Sequence, residues 1–232
     1  MAETSHNRDI PDNLRRWVEH IRRLADPVVG DLDLSGELRA ALARPRWIGG
    51  PLLAWRWVRE HGSLAREFGE ADWIASRDAA RDDAALWWAL IDARSGPVAR
   101  WIDVDADGAL FEQGLYGTIE VWTETELCAL HALWHHASRE APGGAMAQRV
   151  ARAVAWHVEN TQPDNATNHP WAAHVFLRHG TPESQHFAET LLSNCMVLNG
   201  RPDPLSAWIL LDAAEGLAQV GTRRGAGPAI LI

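Results

Sequence analysis

The sequence contains no lysine, since all 22 of its basic residues are arginine. A Walker-type phosphate loop requires a lysine, and Schiff-base or pyridoxal chemistry requires an amine side chain, so both classes of site are excluded. Because alanine is abundant as well, we interpret the bias as the product of a GC-rich genome.

Cysteine and long apolar runs are also scarce. Cys128 and Cys195 are the only cysteines, and two cysteines form neither a disulfide framework nor a four-cysteine zinc site. No apolar run approaches the roughly 20 residues needed to span a bilayer. The polar residues 1–13 lack the apolar segment of a secretory signal. We therefore expect a soluble cytoplasmic protein that does not interact with membranes.

Basic residues are outnumbered, with 31 acidic residues against 22 arginines and a net charge of -9. Such an acidic chain has no electrostatic footprint for nucleic acid or for anionic lipid. The apolar fraction of 47% and the length of 232 residues are typical of a globular protein that buries a sizeable core.

Tryptophan is enriched, with 13 residues against four phenylalanines and one tyrosine. One interpretation is that tryptophan fills the large core positions. The alternative is an aromatic-lined cleft for a ligand.

Apolar residues recur with helical period along most of the chain. Thr123 and Glu126 have the spacing of a capping box, and Thr181 and Asp203 are predicted to cap two later helices. The predicted helices are 11–24, 35–43, 51–60, 82–93, 123–138, 145–159, 169–179, 182–197 and 204–219.

The helical period of apolar residues is interrupted between the predicted helices at 82–93 and 123–138. Residues 98–104 and 109–111 flank a turn that ends at Gly108, which predicts a small β-hairpin near 98–111. A second short extended stretch is predicted at 117–122. The acids before Gly108 imitate a calcium loop, but its twelfth position is Gly114 rather than an acid, so we favour the hairpin turn.

The fold class predicted is mainly all-α. Helices of roughly 10–17 residues with short loops favour antiparallel helical hairpins, stacked as an α/α-toroid-like or open helical array. Residues 1–10 are predicted to be a flexible tail, 11–220 a single helical domain, and 221–232 a glycine-rich tail. The 97–122 region is an alternative internal boundary.

The first candidate site is the polar segment that follows the helix at 145–159. Helical spacing places His157 on the same face as Met146, Val150 and Val154, so its imidazole is expected to point inward. A loop rich in hydrogen-bonding groups follows, and an imidazole with a carboxylate is the usual acid–base pair. The predicted catalytic residues are His157, Asp164 and His169, and the predicted ligand-binding residues are Trp156, Glu159, Asn165, Trp171, His174 and Trp122.

A purely structural interpretation of this segment stays open. Asparagine, aspartate and threonine also favour turns and helix caps, so Asn168 could serve only to cap the following helix. His157 could equally be a core histidine that bonds a backbone carbonyl.

The second candidate is a stripe along the helix at 123–138. Glu124, Cys128, His131 and His135 follow one another at intervals of three or four residues and therefore share one side of the helix. Cys128, His131 and His135 are predicted ligands for zinc or a similar divalent metal, the one cofactor considered. The alternative is a half-exposed flank beside the apolar face.

Two acids end helices that are apolar almost all round, Asp92 and Asp212. A buried acid requires a partner, and we expect pairing with arginine rather than a catalytic role.

Three functions are compatible with these features. The favoured one is a small-molecule enzyme or ligand-binding helical domain, with an aromatic-lined pocket and histidine and aspartate as acid–base groups. The alternatives are a non-enzymatic helical-hairpin module for protein–protein interaction and a metal-binding helical protein.

Overall fold

The computed structural model describes residues 11–43, 49–92, 97–163 and 167–219. Within these ranges the chain forms ten α-helices and two short 3-10 helices, and no strand. The all-helical class is therefore confirmed. The predicted tails at 1–10 and 221–232 lie outside the described residues.

The helix bounds follow the predicted pattern in most places, although the helix at 70–78 was not expected because its apolar period is weak. The α-helices are α1 Asp12–Val29, α2 Leu34–Leu42, α3 Gly50–His61, α4 Glu70–Asp78, α5 Asp82–Ile91, α6 Ile119–Ala137, α7 Ala145–Asn160, α8 Ala173–His179, α9 Pro182–Asn194 and α10 Pro204–Ala218.

Two predicted caps are confirmed. The Thr181 hydroxyl accepts the Ser184 N–H at 3.2 Å, and the Asp203 carboxylate accepts the Ser206 N–H at 2.9 Å. Each side chain satisfies one of the amide groups that the first turn of a helix leaves without a partner.

The start of α6 differs from the prediction. Its N-cap is Thr118, whose hydroxyl accepts the Val121 N–H at 3.3 Å, so the extended stretch at 117–122 and the capping box at Thr123 are both wrong. Glu126 does not reach back to its own helix, because its carboxylate accepts the backbone N–H groups of Leu110 and Phe111.

The predicted β-hairpin near 98–111 is also wrong. The segment holds a 3-10 turn at Val98–Arg100 and irregular backbone after it. Its carbonyl groups bond to arginine side chains instead of an opposing strand. The buried Arg149 guanidinium donates to the carbonyls of Asp103 at 3.1 Å, Gly108 at 2.9 Å and Ala109 at 2.7 Å. Hydrogen bonds from an α7 side chain thus replace the strand-to-strand hydrogen bonds that a hairpin would have.

The chain packs as two compact units. Unit 1 contains the described residues up to Asp31 and from His157 onward, and unit 2 contains those from Leu32 to Trp156. In unit 1, α1 packs against α10, and α8 packs against α9 and α10. In unit 2, α5 packs against α6 and α3, and α2 packs against α3 and α4. The single domain over 11–220 stays a prediction.

Tryptophan supplies much of the interior of these units. Nine tryptophans are buried among the described residues, which is the behaviour expected if tryptophan fills large core positions. They are Trp55, Trp57, Trp73, Trp87, Trp88, Trp122 and Trp134 in unit 2, and Trp171 and Trp208 in unit 1.

None of the described helices has both the length and the apolar character needed to cross a membrane.

Candidate functional site

His157 lies inside unit 1, on the inward face of α7 as its spacing predicts, and is fully buried. Its ring packs edge-on against Phe176 and Phe187, with centroids 6.3 and 6.5 Å away. Its Nδ1 lies 3.3 Å from the Thr161 hydroxyl, which itself donates to the His157 carbonyl at 2.9 Å. Because the hydroxyl proton is used there, Nδ1 carries the hydrogen and donates it to Thr161.

The polar loop after α7 is fastened to α9. The Asn194 side chain donates to the carbonyl of Pro163 at 2.6 Å and to that of Thr167 at 3.4 Å. The Thr167 hydroxyl accepts the His169 N–H at 3.1 Å. These bonds fix both ends of the loop and the backbone that carries the His169 imidazole.

The His169 imidazole faces a carboxylate that sequence reasoning assigned only as a cap. Its Nε2 lies 3.8 Å from Asp203 Oδ2, and the two side chains are 26% and 41% exposed. The carboxylate is oriented by Ser206, whose N–H and hydroxyl donate to Oδ1 at 2.9 Å and Oδ2 at 3.0 Å. We name this arrangement the His169–Asp203 pair.

A thiol lies near the same carboxylate. Burial, and secondarily the charge of Asp203, raise the pKa of Cys195 to about 12. Its Sγ donates to the Leu192 carbonyl at 3.1 Å. Cys195 therefore stays protonated at neutral pH, which disfavours its reaction as a thiolate.

The other residues that were predicted for the first candidate site differ in their burial. Trp171 and His174 belong to the buried core of unit 1, and Glu159 is exposed. Asp164 and Asn165 lie outside the described residues. The helix expected to start at His169 begins at Ala173, after a left-handed residue at Ala172 (φ 57°), so Asn168 does not cap it.

Trp122 and Trp156 come together in unit 2. Their rings meet edge to face with centroids 6.2 Å apart. The Trp122 indole donates to the Phe111 carbonyl at 3.0 Å, and Trp156 lies against the backbone of Gly108. Both rings therefore cover the irregular segment at 98–111.

The predicted stripe on α6 is buried in unit 2 rather than half-exposed. His131 and His135 stack with ring centroids 5.6 Å apart and an interplanar angle of 19°. The exposed fractions are 8% for Glu124, 0% for Cys128, 0% for His131 and 5% for His135. We name these four side chains the α6 column.

The Cys128 thiol turns toward α5. The Trp87 indole donates to Cys128 Sγ at 3.3 Å, and the thiol shares a hydrogen bond with the Asp83 carboxyl. Burial is the main reason that the pKa of Cys128 lies well above its usual value, and the neighbouring Asp83 raises it further. This thiol is also protonated.

Asp83 was missed by sequence reasoning. It is 9% exposed, and burial raises its pKa from 3.8 to about 7 despite the hydrogen bonds from Cys128 and the Ala84 N–H. The available signal was the Asp82-Asp83 pair in the first turn of a helix that is otherwise apolar. An acid there must either face solvent or find a donor.

Both acids that end the apolar helices were predicted to pair with arginine. Asp92 pairs with Arg77, whose Nη1 lies 2.6 Å from its Oδ2, so the expected ion pair is confirmed. Asp212 is fully buried in unit 1.

No family model, no curated protein and no solved structure matches the chain.

Chemically, the two units offer different groups. The His169–Asp203 pair combines a proton acceptor, a fixed carboxylate and access to solvent, which is what acid–base chemistry on a bound molecule requires. The α6 column and Asp83 are buried, and the Cys128 thiol and the Asp83 carboxyl share a hydrogen bond with each other.

Proposed function

We propose that the chain binds a small molecule and carries out general acid–base chemistry on it in unit 1, with the His169–Asp203 pair as the reacting groups. The observation that supports this proposal is the partly exposed imidazole 3.8 Å from a carboxylate that Ser206 orients. Loops held on a rigid helical scaffold are frequent positions for such groups.

In the proposed mechanism, His169 accepts a proton from the substrate and returns one to the leaving or newly formed group. The charge of Asp203 stabilises the imidazolium that forms in between. Catalytic hydrogen bonds are often long before substrate binds, so a modest rotation of the His169 ring on binding completes the contact.

His157 acts as a positioning residue in this proposal. Its ring holds the Thr161 hydroxyl, one residue after the last residue of α7, and so fixes where the polar loop leaves the helix. Asp164 and Asn165 are predicted to add polar contacts, and Trp171 is predicted to form the aromatic wall.

The test uses histidine-labelled protein and a set of small esters, lactones and ketones, followed by proton–nitrogen correlation spectra of the imidazole rings. Bound compounds should shift the His169 resonances, and those that react should lose turnover in the His169→Gln variant. Asp203→Asn should lower turnover and move the acidic limb of the pH profile to lower pH, because His169 acts as the base and its imidazolium loses its counter-charge.

A matched control exists on α9. His186 lies 4.0 Å from Glu189, the same kind of pair, but its side chain is 83% exposed and stands on an open helix surface. His186→Gln should leave binding and turnover unchanged. Equal effects of the two histidine substitutions, or turnover unaffected by His169→Gln, would refute the proposal.

Metal binding by unit 2 is a second candidate, favoured by the buried, stacked rings of His131 and His135 one turn apart on α6. Titration with Co²⁺ tests it, because Co²⁺ gives visible bands in a tetrahedral nitrogen and sulfur site. A thiolate charge-transfer band that disappears in Cys128→Ser would assign the sulfur as a ligand. No spectral change on addition of Co²⁺ would exclude the candidate.

The finer architecture belongs to the same proposal. Consecutive helices pack together as α2 with α3, α5 with α6, and α8 with α9, which supports stacked helical hairpins. Their closure into an α/α-toroid-like ring or an open array, and a cytoplasmic location, stay predictions.

A further inference from the structure

Three large apolar side chains are exposed within a short stretch of unit 2. Leu115 is 77% exposed, Ile119 is 45% exposed and Val121 is 51% exposed. Single exposed apolar residues are ordinary, whereas three within seven positions concentrate exposed apolar area in one segment of the chain, as interaction surfaces do. We name residues 112–121 the 112–121 surface.

The backbone beneath these side chains is held in place. Gln113–Leu115 forms a 3-10 turn, and the Thr118 hydroxyl caps α6. The Tyr116 phenol hydrogen-bonds to the Asp82 side chain. Leu115, Ile119 and Val121 are therefore displayed on an ordered main chain.

Along the chain, the charged residues next to this surface are acidic, while Arg149 and Arg152 from α7 bond the preceding segment at 103–109. From position 101 to position 138 the chain carries seven acidic residues and no arginine. Glu112 and Glu120 are exposed within the surface itself. The Thr118 hydroxyl bonds the Glu120 carboxylate and lowers its pKa, as does the Glu120 N–H, which keeps that group anionic.

We infer that the 112–121 surface docks a basic amphipathic segment of another protein. The partner's apolar side chains cover Leu115, Ile119 and Val121, while its arginine or lysine side chains meet Glu112 and Glu120. An anionic membrane, or a second copy of this acidic chain, would meet repulsion from the same carboxylates. Charge complementarity thus selects the occupant.

The test measures binding of a fluorescent amphipathic peptide of leucine and arginine by anisotropy. A peptide in which glutamate replaces arginine is the charge control. The double variant Leu115→Ser with Ile119→Ser should bind the basic peptide at least about tenfold more weakly. Glu112→Gln with Glu120→Gln should weaken binding and reduce its dependence on salt.

Val197 and Leu198 in unit 1 give a matched control, because they are 74% and 77% exposed and the first charged residue after them is Arg201. Replacing both with serine should leave peptide binding unchanged. His169→Gln should also leave it unchanged, so this inference and the proposed function fail separately.

Four outcomes would overturn the inference. They are equal losses from the two serine double variants, equal binding of the acidic peptide, binding to anionic vesicles that depends on Leu115, and a concentration-dependent dimer that Leu115→Ser dissolves. The last two would assign the surface to a lipid or to a second copy.

Discussion

Ionisable side chains are placed differently in the two units. In unit 1, the His169–Asp203 pair lies at the ends of elements, where the loop meets α8 and where α10 begins, and both groups reach solvent. In unit 2, Asp83 and the α6 column lie along the packed faces of two helices, and every member is buried. The residue types are similar, but their surroundings are not.

The difference shows what burial does to the same chemistry. Asp203 and Asp83 both lie at the start of a helix, but the Asp203 side chain is 41% exposed and keeps its access to a ligand. A carboxyl inside the helix pair loses hydration, so Asp83 holds its proton to a much higher pH. We therefore expect substitutions in unit 2 to change stability strongly, and those at the His169–Asp203 pair to change activity more than stability.

The largest effect is expected from Asp83→Asn. The pKa of Asp83 is about 7 in the folded protein and near 3.8 when the chain is unfolded. Between these values the unfolded chain releases a proton that the folded protein retains, so stability is lost as the pH rises from about 4 to about 7. The asparagine removes this dependence and should raise the free energy of unfolding at about pH 8 by about 4 kcal/mol.

Urea denaturation at several pH values measures this difference. Below the unfolded pKa the two proteins should be similar, because both states of the wild type are then protonated. A wild type that is as stable as the variant at about pH 8 would show that ionisation of the buried Asp83 carboxyl does not destabilise the fold.

Arg149→Met should be next in size. It removes the buried guanidinium that donates to the carbonyls of Asp103, Gly108 and Ala109, and we expect a loss of about 3 kcal/mol. Arg152→Met is the control, because Arg152 bonds the same segment but is 31% exposed. Equal changes in thermal stability for the two variants would show that the burial of Arg149 does not make its hydrogen bonds more stabilising than those of Arg152.

Glu126→Gln should lower stability by about 2 kcal/mol. The carboxylate accepts two backbone N–H groups, whereas the glutamine side chain offers one oxygen and turns its amino group toward the other amide. Calorimetry compares it with Glu120→Gln, which changes an exposed acid on the same helix and should lower the melting temperature much less. No difference between the two variants would contradict the assignment of Glu126 as an anchor.

The smallest effect is expected in unit 1. Asp203→Ala removes the cap of α10 and should lower stability by about 1 kcal/mol, while Asp203→Asn keeps a capping oxygen and should be nearly neutral. Chemical denaturation of both variants separates the cap from the charge. If the asparagine variant lost as much stability as the alanine variant, Asp203 would have a structural role beyond the cap.

Features with local causes were predictable from the sequence. The apolar period gave most helices, and Thr181 and Asp203 were identified as caps because their partners lie three residues away. The inward direction of His157 followed from its spacing to Val150 and Val154 on the same helix.

Features that depend on distant residues were not predictable. The segment at 98–111 has the alternation and turn of a hairpin, but Arg149 bonds its carbonyls from about 40 positions away. Asp203 was recognised as a cap, while its approach to His169 spans the whole of α8 and α9. Propensity rules describe neighbours along the chain and do not contain these contacts.

The arginine bonds to the segment at 98–111 have a consequence for sequence change. Arg149 bonds main-chain carbonyls, which every amino acid supplies, so the identity of most side chains at these positions is not constrained by the anchor. The exposed positions 103, 105 and 107 can therefore take new side chains while Arg149 continues to hold the path of the main chain, whereas the buried Val98 and Ile102 and the left-handed Gly108 have to stay. Those exposed positions are a natural place for substitutions that create an epitope on this protein.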